Sequence, residues 1–170
     1  MALDPKMTWF FSSDVLPEHR NLKHKQVYCW ILSNDNKLAL VSKDGKKWQF
    51  PGGHPEEDES VLETCYREVN EEVGIDLRKL DVKPEFFGYY VVQEFDPKTD
   101  EVSEKYLQLR LFVCLKQGSG DLTLEVNEHD NEERKVYHAK WHTFKESGQG
   151  IFWFNGSNEL KAFKEAIKLK

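Results

Sequence analysis

Gly53-His-Pro-Glu-Glu-Asp-Glu-Ser-Val-Leu-Glu-Thr-Cys-Tyr-Arg-Glu-Val-Asn-Glu-Glu-Val-Gly-Ile75 is the stretch on which the fold turns. From Asp58 to Val73 it contains neither Gly nor Pro, and Asp58 or Ser60 can cap the first exposed amides of a helix. Carboxylates in that first turn suit the positive end of the helix dipole. Gly74 stands where a left-handed residue would end the helix. At about 100° per residue, Val61, Leu62, Cys65, Tyr66, Val69 and Val73 fall within an arc of roughly 140°, a core-facing stripe. The spacing therefore predicts an amphipathic helix of about four turns.

On the same wheel Glu68 and Glu72 lie at the margin of the apolar stripe, one turn apart, and Glu71 lies about 60° round from Glu68. Three carboxylates are thus gathered where the helix leaves the core. Like charges at these spacings repel, and a divalent cation is the natural compensation. All-oxygen donors suit Mg2+ or Mn2+. A solvated acidic face is the alternative reading of a Glu-rich helix. Ahead of the helix, Trp48-Gln49-Phe50-Pro51-Gly52-Gly53 is an apolar run ending in a turn whose two glycines allow close approach of backbone to ligand.

The skeleton G-x5-E-x7-R-E-U-x-E-E-x-G-U, with U apolar, is filled at every fixed position by Gly53, Glu59, Arg67, Glu68, Val69, Glu71, Glu72, Gly74 and Ile75. It resembles the box of the Nudix hydrolases, which cleave a nucleoside diphosphate linked to another group. The resemblance implies an α/β/α sandwich with a central mixed β-sheet. It also implies an enzyme acting on a pyrophosphate bond, with Glu68, Glu71, Glu72 and the Gly52 carbonyl as metal ligands and Mg2+, or Mn2+, as cofactor. Arg67 and Glu59 would support these groups, Arg67 by orienting glutamates and Glu59 by fastening the loop to the helix. Arg67 is placed off the carboxylate arc, near Glu63 one turn away. The general base stays open between Glu68 and the glutamates of more distant loops, Glu104, Glu128, Glu132 and Glu133.

The expected substrate is a small-molecule nucleotide: a nucleoside triphosphate or related nucleoside diphosphate compound, or a dinucleoside polyphosphate or nucleotide sugar. Tyr90, beside Tyr89, stands close to where a tyrosine marks dinucleoside-polyphosphate hydrolases. Trp9, Phe10, Phe11, Trp30 and Phe152 to Phe154 could offer a base-stacking surface, although most of them read as core. A Nudix-like domain that senses nucleotides without catalysis is the rival of another class. Such modules typically lose carboxylates from this helix, and none is missing here. Isopentenyl diphosphate isomerisation, performed by a related fold, needs an added His and Glu metal site that the sequence does not display.

Composition narrows the field. The chain has 170 residues, read as one domain over 1–170, with 13% aromatic residues to fill a core. A net charge of −6 without a basic stripe argues against general nucleic-acid binding. No apolar run approaches the roughly 20 residues of a membrane span, so a cytoplasmic protein without membrane attachment is expected. Cys29, Cys65 and Cys114 are dispersed and odd in number, which predicts reduced thiols.

Elsewhere, residues 25–33 and 37–42 read as a hairpin about Asn34-Asp35-Asn36. Residues 85–95 and 105–116 read as long strands, the second with Leu107, Leu109, Leu111, Val113 and Leu115 on one face and Tyr106, Gln108, Arg110, Phe112 and Cys114 on the other. Arg110, midway along, is expected at an edge or facing solvent, with pairing to a substrate phosphate as the alternative. A strand is expected around residues 136–144, and an amphipathic helix over 158–169 with Leu160, Phe163, Ala166 and Ile167 on its apolar face. His54, His129 and His138 read as loop or surface histidines. Oligomeric state is not legible.

Overall fold

A computed structural model describes residues 4–127 and 136–168. Its strands are β1 (Lys6–Phe11), β2 (His24–Leu32), β3 (Lys37–Ser42), β4 (Trp48–Gln49), β5 (Gly52–Gly53), β6 (Glu85–Phe95), β7 (Val102–Cys114) and β8 (His138–Thr143). Its helices are α1 (Val61–Val73), α2 (Phe144–Gly150) and α3 (Asn158–Lys168). All eight strands join one sheet along the path β1-β6-β7-β2-β3-β4, with β5 paired to β2 and β8 to β3.

The sheet is mixed because β2 and β7 run parallel, Val27 opposite Leu109 and Tyr28 opposite Arg110, while the other pairs are antiparallel. Parallel neighbours bury both faces, and alternation along β2 and β7 sends residues to two cores. Val27, Cys29 and Ile31 pack with Leu107, Leu109, Leu111 and Val113 against the α1 stripe. Trp30, Leu32 and Phe112 pack on the opposite face against Ile151 and Phe154 and against Leu160 and Phe163 of α3. Helices on both faces make the α/β/α sandwich expected from the sequence.

Arg110 is corrected. β7 is central, and Arg110 is only 7% exposed, its Nε donating to Glu159 Oε1 of α3 at 2.7 Å. Glu159 also accepts from Trp30 Nε1 at 3.2 Å. A charge in mid-strand is an edge signal only where no partner reaches it, and here the partner lies 49 residues away in sequence. Strand β1, paired along its length with β6, and helix α2 were not anticipated. The signal for α2 was Thr143-Phe-Lys-Glu146, whose ends form a reciprocal capping box despite two glycines in the helix. Cys29 and Cys65 are buried, Cys114 is half-buried, and all three are free thiols. Among the described residues no helix is long and apolar enough to cross a membrane.

Candidate active site

Helix α1 starts at Ser60, whose Oγ accepts from Glu63 N at 3.2 Å while Glu63 Oε2 accepts from Ser60 N at 2.8 Å. This capping box settles the choice of cap. Asp58 instead adopts φ 62° in the preceding turn. Gly74 closes the helix at φ 71°, its N–H donating to Asn70 O. With both ends fixed, Glu68, Glu71 and Glu72 keep a defined angular position against β5.

Glu72 is buried, and its Oε2 accepts from the Gly52 amide at 2.8 Å. Gly52 in turn pairs with Tyr28 of β2, where an added Cβ would run into the Val27 carbonyl and Tyr28. At Gly53 an added Cβ would run into the Glu68 carboxylate. The two glycines let the β5 backbone lie directly on the carboxylates of the helix. Glu68 is buried as well, and Glu71 is half-exposed at the cleft.

Arg67 is where the structure departs most from the wheel. Its guanidinium reaches Glu59 through Nε at 2.8 Å and Nη2 at 2.9 Å, Glu68 Oε1 at 2.9 Å, Glu71 Oε2 at 3.1 Å and the His54 carbonyl at 2.9 Å. It sits among the carboxylates, and Glu63 is engaged by the Ser60 cap instead. A long side chain projects beyond its Cβ direction, which an angular argument from Cα positions ignores. Glu59 also accepts from Thr64 Oγ1 at 2.9 Å and Glu56 N at 2.9 Å, joining the turn to the helix. Hydrogen bonds from Arg67 hold the Glu59 carboxyl down to about 2, and Glu59 in return holds the guanidinium charged.

Glu68, Glu71 and Glu72 are oxygen donors of the type a hard divalent cation takes, but Arg67 bridges Glu68 and Glu71, and among the described residues no three His, Cys, Asp or Glu side chains stand in a metal-holding arrangement. Glu104 pairs with Lys25 at 2.5 Å, and Glu128, Glu132, Glu133 and His129 lie outside the described residues. His54 and His138 are exposed.

Next to β5 lies a cavity of about 520 Å³ lined by aromatic rings and amides, including Tyr28, Phe50, Tyr90 and Arg110. Of the two neighbouring tyrosines, Tyr89 is buried and bonded to His19 Nδ1 at 2.7 Å, whereas Tyr90 faces this cavity. Burial raises the Tyr28 phenol, Arg110 works against that, and Glu72 and Glu68 add to it. Tyr28 thus stands between the carboxylates and the cavity.

The family model described as the NUDIX domain matches residues 22–159. The chain belongs to the Nudix family. Among Nudix relatives it is 32% identical over 113 residues to the mRNA-decapping protein g5R of African swine fever virus (isolate Warthog/Namibia/Wart80/1980), covering 63% of this chain and 45% of that protein. It is 25% identical over 113 residues to the RNA pyrophosphohydrolase of Ruthia magnifica, covering 61% and 60%. The chain thus spans less than half the length of the viral protein. The fold is similar to that of a mutant Bacillus subtilis pyrophosphohydrolase, BsRppH, at TM-score 0.61 and 17% identity over 95% of this chain and 91% of that one. It is also similar to a C. elegans Ap4A hydrolase at TM-score 0.54 and 17% identity over 86% and 100%. The names of the first two relatives lend no support to the expectation that nucleic acid is excluded as a partner.

Proposed function

We propose that this protein is a pyrophosphohydrolase that uses a divalent cation, Mg2+ or Mn2+, to cleave a phosphoric anhydride in a nucleoside triphosphate or related nucleoside diphosphate compound. The observation that carries the reading is the intact cluster of Glu68, Glu71 and Glu72 against the Gly52-Gly53 backbone, tied together by Arg67 and Glu59. A nucleotide sensor would have no use for so complete a set of carboxylates.

Glu68, Glu71, Glu72 and the Gly52 carbonyl would hold the cation. When bound, it supplies positive charge against phosphate oxygens and acts as a Lewis acid toward water. Glu68, oriented by the hydrogen bond from Arg67, can accept a proton from the attacking water. Water adds to one phosphorus, the bridging oxygen leaves with the other phosphate, and the anhydride becomes two phosphate products. Arg67 and Glu59 set carboxylate positions and are positioning residues.

A second reading concerns the size of the substrate. The viral and bacterial relatives are named for acting on mRNA caps and on RNA, and an RNA 5′ end carries the same anhydride. A dinucleoside polyphosphate or nucleotide sugar also satisfies the site.

The test is phosphate release from nucleoside triphosphates, diadenosine polyphosphates, nucleotide sugars, ADP-ribose and triphosphorylated or capped RNA, with Mg2+ and with EDTA. One substrate class turned over far faster than the rest and silenced by EDTA is expected. Glu71→Gln or Glu72→Gln should lower kcat at least about a hundredfold while the fold survives, because the amide keeps shape and loses charge. Undiminished turnover in both variants would remove the proposed cation site.

A further inference from the structure

We infer that β1 is a self-pairing edge: two copies of this chain join their sheets antiparallel along Lys6–Phe11, about a two-fold axis at Trp9 that sets Met7 of one copy against Phe11 of the other. Pairing of this kind is independent of the proposed reaction.

The two sides of the sheet end differently. On one side lie β4, which is two residues long, and β8, which carries His138 and Lys140. Short strands and lysines are the usual means of keeping an edge from pairing. On the other side the sheet ends in β1, whose sequence Lys-Met-Thr-Trp-Phe-Phe holds a single charge, at its first position, and no proline. β1 pairs with β6 from Lys6 opposite Gln93 to Phe11 opposite Gly88, and no other backbone hydrogen bond involves residues 6–11 among the described residues. The outward amides and carbonyls of β1 are therefore open to a further strand.

Alternation along β1 sorts its side chains. Phe10 turns to the α1 side, where Tyr89 stacks on it at 5.3 Å and His19 meets it edge-on at 4.7 Å. Met7, Trp9 and Phe11 share the opposite face. Trp9 lies inward over Gly88, where an added Cβ would run into the ring, and against Tyr90 at 4.9 Å. Met7 and Phe11 find no such cover and stay 47% and 57% exposed. In an antiparallel pair centred on Trp9 each Met7 stands directly opposite a Phe11 on the same face, with Cβ atoms about 4.5–5.5 Å apart. Both exposed side chains of both strands are then covered at once, and the inward tilt of Trp9 keeps the axis clear. Centring on Thr8 puts Phe11 opposite Pro5, and centring on Phe10 puts Met7 opposite Ser13, both outside the strand.

Charge does not oppose the contact. Lys6 of one copy meets Ser12 of the other, and the two lysines lie about 20 Å apart along the strands, beyond the Debye length of about 8 Å at physiological salt. Because each copy offers the same edge, the contact is isologous and closes at two, whereas a head-to-tail contact would grow into fibres. A second copy of this chain is thus the partner whose pattern fits the edge at every position.

The test is sedimentation equilibrium of the full chain over a range of concentrations, with circular dichroism and thermal melts to show that each variant folds. Wild type should sediment as a dimer. Met7→Lys and Phe11→Lys should each weaken that dimer about tenfold or more, since symmetry counts every substitution twice. Tyr137→Lys, which alters an exposed ring outside β1, should leave it unchanged. A short bismaleimide reads the register. An equimolar mixture of the Met7→Cys and Phe11→Cys variants should cross-link to a dimer, while either variant alone, with its introduced thiols about 13 Å apart along the strands, should give only the wild-type background. A monomer at every concentration, a dimer that both lysine variants leave intact, assembly beyond two copies, or cross-linking of either cysteine variant with itself as readily as with the other overturns the inference.

Discussion

Arg67 shows how one residue converts repulsion into order. Glu59, Glu68 and Glu71 would push one another apart, and the guanidinium fork, with its donors fixed in a plane, answers all three together with the His54 carbonyl. The Glu59 carboxyl, down to about 2 in the folded chain from an ordinary value near 4.5, gives the arrangement a pH signature. A depressed folded pKa stabilises fully above the unfolded value, and that stability is lost as pH falls through the folded one. Denaturant midpoints should therefore drop between about pH 5 and pH 2, and Glu59→Gln should flatten that part of the curve. Equal slopes for wild type and variant would show that the Arg67 contact has no linkage to folding.

At the scale of elements, helix α1 was legible almost residue by residue because periodicity, cap and stop agreed. The hairpin of β2 and β3 and the two faces of β7 were legible for the same reason. Local pattern failed where a partner distant in sequence decided the outcome. Arg110 is tolerated in a central strand because α3 delivers Glu159, and Arg67 leaves its wheel position because a turn delivers Glu59. Strand β1 exists by pairing with β6, a contact that its six residues do not announce. The Arg110–Glu159 pair predicts its own test. Glu159→Gln leaves a guanidinium buried without its counter-charge and should cost about 3–5 kcal/mol. Adding Arg110→Met should recover part of that loss in chemical denaturation, and a double variant as unstable as the sum of the singles would mean the two groups are not coupled.

Across the whole molecule, the proposed cation site would link metal binding to stability. A ligand that binds only the folded chain raises stability by RT ln(1 + [L]/Kd), about 2.7 kcal/mol at a hundredfold excess over Kd. Thermal melts should shift upward with Mg2+ or Mn2+, and the shift should shrink in Glu72→Gln. A melt indifferent to both ions would argue against a cation at α1. The sheet adds a consequence of another kind, in the order of synthesis. Strand β2 leaves the ribosome early and α1 soon after it, yet the parallel neighbour that seats β2, from Leu107 to Cys114, emerges some eighty residues later. Until then the apolar stripe of α1 lacks Leu107, Leu109, Leu111 and Val113 to pack against. Closing so distant a pairing is intrinsically slow, so the acidic helix, complete at Val73, waits until Cys114 has been made before the sheet can hold it in place.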